Sequence, residues 1–144
     1  MGYKVNIPFP FQTDDQTYLQ AIDQIVIPIA GQFKPQFVLV SAGFDGHYSD
    51  PVGGLSLSAS GYLETFRRTL SLASRFCEGK LVTVLEGGYS LSFLGRITTA
   101  VVAEMAGTTY PIQDRGPVAS STLRKQAEKV MREVRNIQSS FWNL

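Results

Sequence analysis

Two side chains in this sequence stand where chemistry gathers in α/β proteins: Asp45, which ends FVLVSAGFD, and Tyr89, which ends LVTVLEGGY. Each follows an apolar, β-branched run, residues 37–40 and 81–85, of the kind that forms a buried parallel strand. Ligands collect at the carboxyl ends of such strands, because the βα loops converge there. If the two strands are parallel, Asp45 and Tyr89 share one rim. A carboxylate at that place either serves a ligand or ties down its own loop, and position alone leaves both open. Gly87 and Gly88 let another backbone or a narrow ligand come close and present the next side chain over the crevice. A neutral tyrosine hydroxyl there can donate to an oxyanion, where one preorganised donor is worth ~10²–10³ in rate; the alternative is a turn followed by a packed aromatic. His47 forms Asp-Gly-His with Asp45, a spacing that invites zinc. Even an open catalytic zinc takes three protein ligands, however, and the chain has no other histidine, so a loop histidine with a local hydrogen bond is expected.

The elements that position these residues follow from periodicity and punctuation. Residues 4–9, KVNIPF, read as a short strand closed by Pro8 and Pro10. Asp14 or Asp15 caps a helix with Tyr18, Ile22, Ile25, Val26 and Ile29 at helical spacing, and Pro28 should disturb its last turn around Ile29 and Gly31. The Gly- and Pro-rich loop after Asp45, with Gly46, Asp50, Pro51, Gly53 and Gly54, is long for a compact βαβ unit and favours binding. Ser58 then caps a helix over 59–76 that turns Tyr62, Leu63, Phe66, Leu70, Ala73 and Phe76 or Cys77 to the sheet, leaving Arg67 and Arg68 on a solvated face; Gly79 ends it. A helix over 91–106 carries Leu94, Ile97, Val101, Val102 and Met105 inward and stops at Gly107. Residues 108–120 read as a surface connection. A last amphipathic helix, 121–139, puts Leu123, Ala127, Val130, Met131, Val134 and Ile137 on one side, and Phe141-Trp142 tucks against the body or a neighbour.

Composition narrows the class. The 144 residues fit one domain, with 13 Lys and Arg against 12 Asp and Glu. Such balance gives no footprint for nucleic acid or an anionic membrane. The single cysteine, Cys77, reads as a packed, reduced thiol. No apolar run approaches the roughly 20 residues of a membrane span, and no signal-peptide pattern opens the chain, so a cytoplasmic location is expected.

The phrase VLVSAGFDGHYSDPVGGLSLSASGY, followed by LVTVLEGGYSL, resembles the carboxyl-terminal half of the zinc-dependent histone deacetylase superfamily, especially its acetoin-utilisation and class II types. The resemblance runs from YKVNIP at residue 3 to about Gly107. It implies a three-layer α/β/α architecture with a mainly parallel sheet, a partial arginase/deacetylase-like fold over 1–144. It implies hydrolysis of acetyl-lysine or a small acetylated amine, with Asp45 as a zinc ligand and Tyr89 as the donor that polarises the acetyl carbonyl. Asp50 and Pro51 would shape the acyl-lysine tunnel, with Gly87 and Gly88 on its other wall; the family position at His47 is not a zinc ligand. The family's further Asp-x-His motif, distinct from Asp45-Gly46-His47, and its tandem His motif, which together complete the family's site, do not occur here. The expectation is the second half of an enzyme, with zinc held only if another chain supplies the missing ligands. It should expose an edge strand and an apolar surface that either a homo-oligomer or a separately encoded amino-terminal half would cover. The alternative expectation is a non-catalytic oligomeric or binding remnant of that fold.

Overall fold

The computed structural model describes residues 2–144. In chain order it contains α1 (Asp15–Ala21), a π-helical turn (Ile22–Val26), α2 (Ile27–Phe33), β1 (Val38–Ala42), α3 (Ala59–Cys77), β2 (Leu81–Leu85), α4 (Leu94–Met105) and α5 (Ser121–Gln138). No helix among the described residues is long and apolar enough to cross a membrane.

The two strands are parallel, registered from Val38 opposite Leu81 to Ala42 opposite Leu85. Because side chains alternate across a strand, Val40 and Ala42 point to one face and Leu39 and Ser41 to the other. The first face is covered except at Leu85, which lies opposite Ala42 and is 49% exposed. Val40, Ala42 and Phe44 pack with Leu57, Tyr62, Leu63 and Phe66, and with Ile97, Ala100 and Val101 of α4, in the main core. The second face is bare: Leu39 is 76% exposed, and Val82 and Val84 stand about half exposed beside it. Among the described residues each strand is also paired on one side only.

α3 forms because Ser58, in extended conformation, accepts from the Gly61 amide and caps the helix start. Its buried stripe is Tyr62, Leu63, Phe66, Ala73 and Cys77. The helix ends with both Glu78 (φ 56°) and Gly79 (φ 77°) left-handed, so the turn starts one residue before the glycine. Arg67 and Arg68 bind Glu64, Glu104 and Asp23 on the outer face, as a solvated charge pair should.

Four expectations need correction. Residues 4–9 make no strand. Val5, Ile7 and Phe9 instead pack on a second core built from Ala21, Ile25, Met131 and Val134, which rewards the same alternating pattern without a ladder. The irregular turn lies before Pro28, where the Ile27 amide reaches back five residues to the Ile22 carbonyl, while α2 runs on to Phe33. A proline disturbs the turn that precedes it and fits a first helical turn, hence the direction. In α4 Val102 is 57% exposed, and Met105 also reaches solvent. In α5 Ile137 is exposed and Gln138 is buried in its place, donating from Nε2 to the Lys4 carbonyl at 3.3 Å. Trp142 does tuck in, with its indole N–H on the Gly2 carbonyl at 2.9 Å and its ring edge-on to Tyr3 and Phe33.

Candidate functional site

Parallel pairing brings both strand ends to one rim. The Phe44 amide donates to the Gly87 carbonyl at 2.8 Å, and the Glu86 amide to the Ala42 carbonyl at 2.9 Å, so the two chains stay locked together beyond the ladder. Asp45 emerges directly after this lock. Its carboxylate lies between two glycines: a Cβ at Gly43 would stand 2.5 Å from Oδ1, and one at Gly87 2.8 Å from it. From below, Gly53 passes so close that a Cβ there would lie 1.4 Å from the Asp45 carbonyl oxygen. The backbone is thus pinned while the carboxylate, half-buried, enters none of the side-chain hydrogen bonds found among the described residues.

Asp50 is different. Its Oδ1 accepts from the Val52 and Gly53 amides at 2.9 and 3.2 Å, and its Oδ2 from the Tyr89 and Ser90 amides at 2.6 and 3.0 Å. Partial desolvation works against the charged form, but these four backbone donors prevail and hold the carboxyl below the ordinary aspartate value. Asp50 therefore clamps the loop after β1 to the loop after β2 and fixes the backbone of Tyr89. The Tyr89 ring is 53% exposed. Gly88 (φ 134°) adopts a conformation that disfavours any side chain, and a Cβ there would press on Leu94 and Phe44. Pro51 is exposed on the outer turn of the loop.

Beneath the loop the Tyr62 hydroxyl lies against the Gly46 backbone, where a Cβ would be 2.8 Å from it. Burial first, then the fields of Tyr18 and Asp45, raise this phenol far above the ordinary tyrosine range and keep it neutral.

Both ring nitrogens of His47 have side-chain partners. The residue is 1% exposed, with Nε2 2.7 Å from Asp114 Oδ2 and Nδ1 2.9 Å from Ser49 Oγ, and its ring stacks at 4.5 Å on both Tyr48 and Phe93. Asp114 is the residue that sequence reasoning missed. It belongs to the stretch 108–120 expected as a surface connection, yet its carboxylate also accepts from the Tyr48 hydroxyl and the Ala59 amide, and Ile112 beside it is buried in the main core. No periodicity or spacing in that segment pointed to it.

Whether zinc fits can be tested on Asp45. An uncommitted carboxylate at a strand end, held rigid by glycine contacts, suits one ligand. Among the described residues, however, no three His, Cys, Asp or Glu side chains gather to hold a metal. This chain's residues fit a contribution to a zinc site but do not close one.

The histone deacetylase domain family matches residues 1–105. A probable deacetylase of Archaeoglobus fulgidus is 48% identical over 107 residues, which are 74% of this chain and 30% of that protein. The polyamine deacetylase HDAC10 of Danio rerio is 33% identical over 144 residues, covering 99% of this chain and 20% of the relative. The crystal structure of the HDA15 HD domain superposes with a TM-score of 0.78 at 34% identity, over 98% of this chain and 37% of that one. The chain thus spans less than a third of the length of either of these curated relatives. With an α/β fold, a parallel strand pair and both rim motifs in the matched region, it belongs to the histone deacetylase family.

Proposed function

We propose that this chain builds one side of the active site of a zinc-dependent deacetylase that hydrolyses acetyl-lysine or a small acetylated amine. The observation that carries this reading is the placement of an uncommitted carboxylate, Asp45, on the same strand-end rim as Tyr89, in a family of deacetylases. Asp45 would hold zinc as one of its ligands. When bound, the metal would polarise the acyl carbonyl and lower the pKa of the attacking water. Tyr89 would donate its phenol proton in a hydrogen bond to the carbonyl oxygen as negative charge develops there. Asp50, by gripping the Tyr89 and Ser90 amides, keeps that donor in place before substrate arrives, and Gly87 and Gly88 would form the wall beside a narrow acyl chain. A relative named for polyamine deacetylation supports including acetylated amines beside acetyl-lysine.

The remaining ligands and the base would come from a further deacetylase segment, in the same polypeptide or another. The surface suited to it is the bare sheet face over Leu39, Val82 and Val84, continued along the free edge of β1 by an apolar groove of about 890 Å³ lined by Phe33, Phe37 and Trp142.

The test combines this chain with zinc and a deacetylase segment carrying Asp-x-His and tandem His, then follows an acetyl-lysine peptide and an acetylated polyamine. Tyr89→Phe is expected to lower the rate by about 10²–10³ without loss of zinc. Asp45→Ala is expected to lose both zinc and turnover. Undiminished activity in both variants would overturn the reading.

A further inference from the structure

The polar chain behind the rim, buried at His47 and Ser90 and open to solvent at Ser49, has a direction. Asp114 Oδ2 accepts from His47 Nε2, so that nitrogen carries a proton. The Ser49 amide lies 3.3 Å from Nδ1 and can only donate, which makes Nδ1 an acceptor. Ser49 Oγ, 2.9 Å from Nδ1, then donates to it and accepts from Ser90 Oγ at 2.9 Å. Ser90 is 8% exposed and directly follows Tyr89. The proton order is therefore Ser90 to Ser49 to His47 to Asp114. It crosses from the loop after β2, through the loop after β1, to a segment beyond the domain match at residue 105.

We infer that Asp114 is a positioning residue for the loop that carries Tyr89, acting through His47, Ser49 and Ser90. Asp50 fixes the backbone amides of Tyr89 and Ser90, and this second tie fixes the Ser90 side chain, so the loop is held at two points rather than one. The Asp114 carboxylate anchors the far end because it is itself immobilised by the Ala59 amide at 3.0 Å and the Tyr48 hydroxyl at 2.8 Å. The consequence for turnover rests on the role proposed above for Tyr89; the consequence for loop order does not.

Hydrogen–deuterium exchange on the full chain separates the two. Asp114→Ala is expected to speed exchange of the Tyr89 and Ser90 amides by about tenfold, the loss of one net hydrogen bond. Asp114→Asn should restore most protection, because its amide oxygen still accepts from His47 and Ala59. Ser90→Ala should speed the same amides, and adding Asp114→Ala to it should give little more, since both cut one chain. Unchanged protection at Tyr89 and Ser90 in Asp114→Ala, a loss spread evenly over α3 and the core, or simple additivity of the two cuts would overturn the inference. If Asp114→Ala does not fold, Ser90→Ala decides it: unaltered exchange would overturn the inference. In the complemented enzyme Ser90→Ala should lower kcat several-fold with KM unchanged. Faster loop exchange with normal kcat would leave the positioning intact and count against the role given to Tyr89.

Discussion

The rim and the open sheet face are built from the same two strands and could hardly differ more. At the rim, the polar groups around the uncommitted Asp45 satisfy one another: one Asp50 carboxylate serves four amides, and the His47 and Asp114 side chains are paired out of reach of water. On the open face, Leu39, Val82 and Val84 present hydrocarbon to solvent beside an unpaired strand edge. The difference teaches which half of the work this chain does by itself. Loop geometry around Asp45 and Tyr89 is encoded within this chain, by residues 43–120 and by the 12–15 segment that pairs with 54–58, whereas burial of the sheet is not. The proposed site would thus be preorganised on this side before any other side joins it, because hydrogen bonds within loops are local and sheet coverage needs a second layer.

The sharpest way to break this contrast is to attack the rim through its tightest backbone contact. Gly53→Ala would put a methyl 1.4 Å from the Asp45 carbonyl oxygen and 2.4 Å from its carbon, atoms that cannot move without shifting the candidate ligand. A loss of about 3 kcal/mol in urea unfolding is expected. Gly95→Ala is the control. It lies in α4 with nothing within 4 Å of a new Cβ, and a gain of up to about 1 kcal/mol is expected there.

Next in size is the junction that holds the second core to the first. Asp14 caps α1 through the Thr17 amide and hydroxyl and accepts from the Ala119 amide and Arg124. Asp14→Ala should cost about 2 kcal/mol by losing the cap and leaving buried donors unmatched. The same contacts give a pH signature. Burial alone would raise this carboxyl, but Thr17, Ala119 and Arg124 together bring it below its ordinary 3.8. The native state therefore binds its proton less readily than the unfolded chain. The stabilisation is complete above the unfolded value and disappears as pH falls below 3.8 through the folded one. Asp14→Asn should flatten that acid limb in a melting series and leave the neutral-pH slope unchanged.

How much of this was legible in the sequence depended on whether a feature is local or needs a partner. The strands β1 and β2, the Ser58 cap, the buried Cys77 and the common rim of Asp45 and Tyr89 follow from local pattern, and the structure agrees with each. Val5, Ile7 and Phe9 misled because period two reports which side is buried, not against what; two helices satisfy it as well as a strand does. Val102 and Ile137 misled because an apolar side chain on a helix need not be covered. Asp114 was invisible, since its partner His47 lies 67 positions away in a loop with no periodicity to follow.

The smallest expected effect tests the open face itself. Leu39→Lys with Val84→Lys replaces two side chains that are 76% and 55% exposed, so neither change removes much buried area from the isolated chain. Unfolding free energy should move by less than about 0.5 kcal/mol, as for ordinary surface positions. Association should move far more. Two charges on an apolar face must be desolvated by any layer that covers it, so binding of a complementary deacetylase segment, measured by sedimentation, should weaken by at least about tenfold. A stability loss of several kcal/mol with association intact would reverse the assignment: the face would then be part of this chain's own core, and the contrast with the rim would vanish. Unchanged stability with weakened assembly would instead mark Leu39 and Val84 as surface to the monomer and core to the complete enzyme.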